Sequence, residues 1–113
     1  MSPLLESWPV AFCLTQLVEV PIYLFAARRL PAWKRWVFAF GASAITHPLL
    51  WFLLPWKDGD WQTFFLLGES AVMMIEATWA ALFRIANPMT WSVLANGSSI
   101  LAGFLIGKLV ALL

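Results

Sequence analysis

Apolar residues run through the chain in four long stretches, at about 8 to 27, 36 to 55, 62 to 83 and 90 to 112, interrupted only by scattered polar positions. Each is close to the roughly 20 residues that an α-helix needs to cross about 30 Å of hydrocarbon, so the pattern predicts four transmembrane helices. Charges, prolines and glycines punctuate them. The first connector, Arg28-Arg29-Leu30-Pro31-Ala32-Trp33-Lys34-Arg35, is basic and carries a proline that discourages continued helix. The second, Pro55-Trp56-Lys57-Asp58-Gly59-Asp60-Trp61, contains an Asp-Gly turn signal, with Asp60 placed to cap the third helix. In the third, Asn87 followed by Pro88 reads as a cap and a first-turn proline. Connectors this short predict a compact bundle of four transmembrane helices, one all-α integral membrane domain over residues 1–113.

Composition agrees with that pattern. The 113 residues are 62% apolar and 12% charged, against about 45–50% and about 25% in soluble domains. The net charge of +1 gives no electrostatic footing for a nucleic-acid partner. Cys13 stands alone among apolar neighbours and is expected to be an inert filler. The N-terminal apolar run is too long for a signal-peptide core and lacks a basic leader, so the first helix is expected to be retained. Basic residues set the orientation, because cytoplasmic loops accumulate Lys and Arg. Arg28, Arg29, Lys34, Arg35 and Arg84 lie on one side, with Lys57 and Lys108 on the other. That bias predicts both termini on the outer side, in a bacterial inner membrane. Trp8, Trp51, Trp56 and Trp61 fall toward the outer boundary, and Trp33, Trp36 and Trp91 toward the inner one, where amphipathic rings prefer to sit. Trp79 sits deeper.

The candidate chemistry lies among the polar side chains far from either interface, because an ionisable group at a helix centre costs about 2.5–3.5 kcal/mol to insert. Glu19, Glu69 and Glu76 fall there, with His47, and no Lys or Arg accompanies them. Glu69 and Glu76 are nearly two turns apart on one helix face, ~10 Å along the axis. Each helix carries such groups as a stripe: Thr15, Gln16, Glu19 and Tyr23 on the first; Ser43, His47 and Trp51 on the second; Glu69, Met73, Glu76 and Ala80 on the third; Asn96, Ser99, Gly103 and Gly107 on the fourth. The spacing of Gly103 and Gly107 is a small-xxx-small pattern that permits close helix packing. Turned toward one another, the stripes enclose three carboxyls, one imidazole and one amide, which is where the cost of desolvating a carboxyl requires them to be.

Two prolines flank these residues. Pro21 follows Glu19 by two positions and Pro48 follows His47 directly. Each removes an intrahelical hydrogen bond and frees a carbonyl one turn earlier, at Leu17 and Ala44, so helix breaks are expected at the site. Asn96-Gly97-Ser98 matches a glycosylation sequon, but its place within a span makes the match accidental.

Three functions fit a buried acidic centre without buried bases. The first is proton- or cation-coupled transport or conduction, with Glu69, then Glu19 with His47, then Glu76 with Asn96 forming a ladder of ion- or proton-binding groups. The second is a small subunit or assembly factor of a larger membrane complex, with the carboxyls paired to bases on partner helices. Four short helices enclose little volume, so a homo-oligomer or a membrane-protein partner is expected besides the lipid bilayer. The third is an intramembrane enzyme in which Glu19, His47, Glu69 and Glu76 hold a metal ion that activates water. A bound metal ion is the sole cofactor in view, and with one histidine and no Glu-x-x-His spacing its signal is weak. No Ser-His-Asp arrangement is present.

Overall fold

The computed structural model describes the backbone of residues 3–53 and 61–112, and the side chains of residues 9–50, 63, 65–109 and 112. Four α-helices account for nearly all of it: α1 (Pro3–Ala26), α2 (Ala32–Leu53), α3 (Trp61–Leu82) and α4 (Pro88–Leu112). The boundaries differ from those drawn on hydropathy. α1 begins at Pro3 instead of about residue 8, and α2 at Ala32 instead of about 36. Hydropathy marks the apolar stretch, whereas helix propensity continues past it: Lys34 and Arg35 are good helix formers, and Arg35 turns its guanidinium back to donate to the Arg28 and Leu30 carbonyls at 2.9 and 3.2 Å. Pro31 stands just before α2, and its carbonyl accepts the Arg35 N–H at 2.9 Å. Pro9, Pro21 and Pro48 all lie inside continuous helices. The expected breaks at Pro21 and Pro48 are therefore absent; each ring removes one ladder bond, and the turns on either side hold the helix together.

The helices pack in a ring, α1 beside α2, α2 beside α3, α3 beside α4 and α4 back against α1. Five-residue connectors at 27–31 and 83–87 make their neighbours antiparallel. The turn after α3 is a Schellman motif. Ile85 N–H bonds to Ala80 O at 3.0 Å and Arg84 N–H to Ala81 O at 2.9 Å, with Arg84 in the left-handed region at φ 59°. Asn87 is also left-handed, at φ 55°, and its carbonyl receives the Trp91 N–H, as expected of a residue that opens α4 ahead of Pro88. The Asp58-Gly59 turn, the Asp60 cap and Trp56 lie outside the described residues, as do the side chains of Trp8, Trp51 and Trp61.

Polarity is arranged inside out. Leu17, Phe25, Val37, Phe40, Leu66, Leu67, Met74, Leu82, Leu101 and Leu105 are exposed, while Glu19, Ser43, Thr46, His47, Glu76, Ser92 and Asn96 are buried. A soluble bundle would reverse this. α1, α3 and α4 each hold an apolar window long enough to cross a membrane, at Pro9–Ala26, Phe65–Leu82 and Pro88–Leu109. The chain is thus an all-helical bundle of four helices, three of them long and apolar enough to span.

The two ends of the ring are filled differently. Near the 27–31 and 83–87 connectors, Tyr23, Ala27, Phe38, Ala39, Ala42, Ala80, Ile85 and Ala95 form a dry core, with Trp79, Phe83 and Trp91 packed against it. The alanines let the helices close in. Trp79 owes its depth to this end: its indole N–H donates to the Phe38 carbonyl at 3.0 Å, and its ring lies over Gly41. A Cβ on Gly41 would sit 2.9 Å from Trp79 Cζ2, so the close helix approach is made there. At Gly103 and Gly107 no such approach is made by the described residues, since a Cβ on either would meet none of them within 4 Å. A small-xxx-small pattern permits close packing only where another helix passes.

Candidate functional site

The half of the bundle nearer the termini is hollow. A cavity of about 460 Å³ lies among all four helices, lined by Thr15 and Glu19 of α1, Ser43, Thr46, His47 and Leu50 of α2, Phe65, Glu69, Val72 and Glu76 of α3, and Asn96, Ser99, Ile100, Gly103 and Phe104 of α4. The stripes read from the sequence thus meet on one space. All five candidate ion- or proton-binding residues, Glu19, His47, Glu69, Glu76 and Asn96, contribute to its wall, and so do Thr15, Ser43 and Ser99. Gln16 and Tyr23 are not part of the wall. Gln16 is half-buried beside it, its amide without a hydrogen-bond partner, and Tyr23 lies beneath, fully buried. Among the described residues, no Lys or Arg lines the cavity. Phe104 and Gly103 are exposed, so the cavity reaches the surface there, whereas the dry core closes it at the other end.

Glu76 is held from three helices. Tyr23 of α1 donates its hydroxyl to Glu76 Oε1 at 2.5 Å, and Asn96 of α4 donates Nδ2–H to the same oxygen at 2.9 Å. Thr46 of α2 lies 2.6 Å from Oε2. Asn96 is itself fixed by donation to the Ser92 carbonyl at 2.9 Å, and Ser92 donates to Met73 O at 2.6 Å, tying α4 to α3. Glu19 has a single partner: Ser99 Oγ lies 2.7 Å from its Oε2. Glu19 Oε1 and Ser43 Oγ are buried with no hydrogen-bond partner. His47 is buried with its ring against Phe12, centroids 5.4 Å apart.

The hydroxyl geometry bears directly on proton exchange. Thr46 Oγ1 is 2.6 Å from Glu76 Oε2 and 3.1 Å from the Ala42 carbonyl. Ser99 Oγ is 2.7 Å from Glu19 Oε2 and 3.1 Å from the Asn96 carbonyl. A hydroxyl has one proton and can donate to only one of two acceptors. Beside a carboxylate it donates to the carboxylate; beside a protonated carboxyl it accepts that proton and turns its own toward the backbone carbonyl. Each glutamate therefore keeps a hydrogen bond in either protonation state, at the cost of one hydroxyl rotation. Asn96 links the two carboxyls structurally, but its amide does not relay protons, so transfer between Glu19 and Glu76 needs water in the cavity.

Thr46 and Ser92 are the polar residues missing from the sequence-derived site. Ser92 lies one turn before Asn96 and extends its stripe, so spacing alone could have found it. Thr46 neighbours His47 and sits three residues after Ser43, a weaker signal. The apolar wall, Leu50, Phe65, Val72, Ile100 and Phe104, carried no signal in a chain this rich in such residues. Among the described residues, no three His, Cys, Asp or Glu side chains are grouped so as to hold a metal ion.

Comparison with protein-family models, with curated proteins and with solved structures finds no match to this chain.

Proposed function

We propose that this chain is a small membrane transport protein in which Glu19 and Glu76 bind and release protons or a cation at the floor of a cavity shared by four transmembrane helices. The observation that carries the proposal is the pairing of each buried glutamate with a hydroxyl that serves both of its protonation states, on one cavity whose described wall contains no basic side chain. The hydroxyls on Glu19 Oε2 and Glu76 Oε2 can each reverse, while the Asn96 amide holds Glu76 Oε1 as a fixed donor.

On this reading α2 spans the membrane with the other three, since its 22 residues extend about 33 Å beside them. The basic residues at the 27–31 and 83–87 end place that end in the cytoplasm, with both termini and the cavity toward the outer side of a bacterial inner membrane. The dry core of Tyr23, Phe38 and the alanines then closes the inner path, so transport requires rearrangement at Tyr23 and Phe38 rather than passage through a standing pore. Glu69, half-buried on the wall, is the first carboxyl met from outside. The subunit reading loses its main motive, because the carboxyls turn inward instead of toward a partner's bases. Self-association stays compatible with the open glycine face of α4 at Gly103 and Gly107.

The test is flux in proteoliposomes with a luminal pH indicator. Glu19→Gln and Glu76→Gln should each abolish proton- or cation-dependent flux while the protein still inserts and purifies. Unchanged flux in both variants would overturn the proposal.

A further inference from the structure

The cavity holds acceptors that the protein leaves unfilled. Glu19 is 1% exposed, and while Oε2 contacts Ser99, Oε1 has no partner; Ser43 of α2, also 1% exposed, lines the same cavity with its Oγ equally unpartnered. Buried polar atoms of native proteins are almost always paired, and those left over in a cavity call for a ligand that pairs them. Three features narrow its chemistry. The volume of about 460 Å³ falls within the roughly 300–1,000 Å³ of small-molecule sites and far exceeds the space of a bare ion. Among the described residues the carboxyls on the wall are met by no Lys or Arg, so the complementary charge is positive. Leu50, Phe65, Val72, Ile100 and Phe104 form an apolar wall that a small hydrated cation would not use.

Resting on the reading of this cavity as the transport site, we infer that it binds an organic primary ammonium ion with an apolar or aromatic body. The ammonium head donates N–H to Glu19 Oε1 and Ser43 Oγ, and the body packs against Phe65 and Phe104, whose rings stand 6.5 Å apart. The head must carry N–H. A quaternary ammonium supplies the charge but no donor, leaving both acceptors as unpaired as they are without ligand. A neutral alcohol of the same shape supplies a donor but no charge.

Calorimetric titration of the full chain in lipid nanodiscs tests this with three probes: 2-phenylethylamine, its N,N,N-trimethyl derivative and 2-phenylethanol. The amine should bind, with the quaternary derivative and the alcohol each at least about tenfold weaker. Ser43→Ala, a small change in a helix interior, should weaken the amine severalfold while narrowing its advantage over the quaternary derivative. Glu19→Gln should remove that advantage over the alcohol. Equal affinity for amine and quaternary derivative, undiminished amine binding in both variants, or no binding of the amine would each overturn the inference. The proteoliposome assay separates the two claims: flux that depends on Glu76 with no amine binding overturns the ligand class alone, whereas discriminating binding without flux upholds the ligand class and removes transport.

Discussion

Replacing Tyr23 with phenylalanine deletes one oxygen and leaves the ring in place. Tyr23 is fully buried beneath the cavity and Glu76 is 1% exposed, so bulk solvent does not reach the position of the lost donor. The O–H to Oε1 distance of 2.5 Å lies at the short end of O–H···O hydrogen bonds. Hydrogen bonds contribute about 0.5–1.5 kcal/mol between neutral groups and about 1.5–3 kcal/mol to charged ones, while side-chain hydrogen bonds measured in a membrane protein average about 0.6 and reach about 1.7 kcal/mol, because partners are also found in the unfolded state. Glu76 Oε1 keeps Asn96 after the substitution, which moderates the loss. The ring contact with Phe38, centroids 5.2 Å apart, survives. A loss of about 1.5 kcal/mol follows. Equilibrium unfolding in mixed micelles reads it, and a double-mutant cycle with Glu76→Met isolates the pair. Tyr23→Phe should cost far less in the Glu76→Met background, giving a coupling of about 1 kcal/mol or more. A coupling near zero would show that the short contact contributes nothing, and the account of Glu76 as a carboxyl held from three helices would fall.

The other predictions concern the frame of the site. Gly41→Ala places a methyl 2.9 Å from Trp79 and should displace the indole from the Phe38 carbonyl, costing about 1–3 kcal/mol; an unchanged tryptophan emission spectrum and unchanged stability would contradict the packing. Arg84→Gly relieves a left-handed arginine in the Schellman turn and should stabilise the bundle by about 1 kcal/mol, read as a higher unfolding midpoint. Gly107→Ala should raise monomer stability by up to about 1 kcal/mol through helix propensity, since its Cβ meets nothing among the described residues, and a change in oligomer size on native mass measurement would then assign that face to self-association.

Much of the site was legible because helix periodicity is local. The spacing of Thr15, Glu19 and Tyr23, or of Asn96 and Ser99, puts each set on one face whatever the neighbours do. Desolvation then says that a carboxyl-bearing face turns inward. Thr46 escaped because its significance lies in a hydroxyl 2.6 Å from a carboxyl on another helix, which no spacing within α2 encodes. A permissive pattern such as that of Gly103 and Gly107 tells where a helix can approach, and Gly41 shows where one does. The helix ends slipped because the hydrophobic signal stops where the apolar run ends while the backbone ladder runs on.

Residue chemistry and chain-local spacing, then, determined the helical class, the apolar outer surface and the inward set of Glu19, His47, Glu69, Glu76 and Asn96. These follow from transfer free energies and a 3.6-residue repeat, and both belong to the chain before it folds. Tertiary structure alone decided that Tyr23, Thr46 and Asn96 converge on Glu76 while Glu19 keeps one oxygen unfilled, and that one half of the bundle is dry and the other hollow. Those outcomes depend on the axial offset between helices, which is set by the packing of side chains far apart in sequence. A shift of one helical turn, about 5.4 Å, would exchange every partner without altering a single stripe.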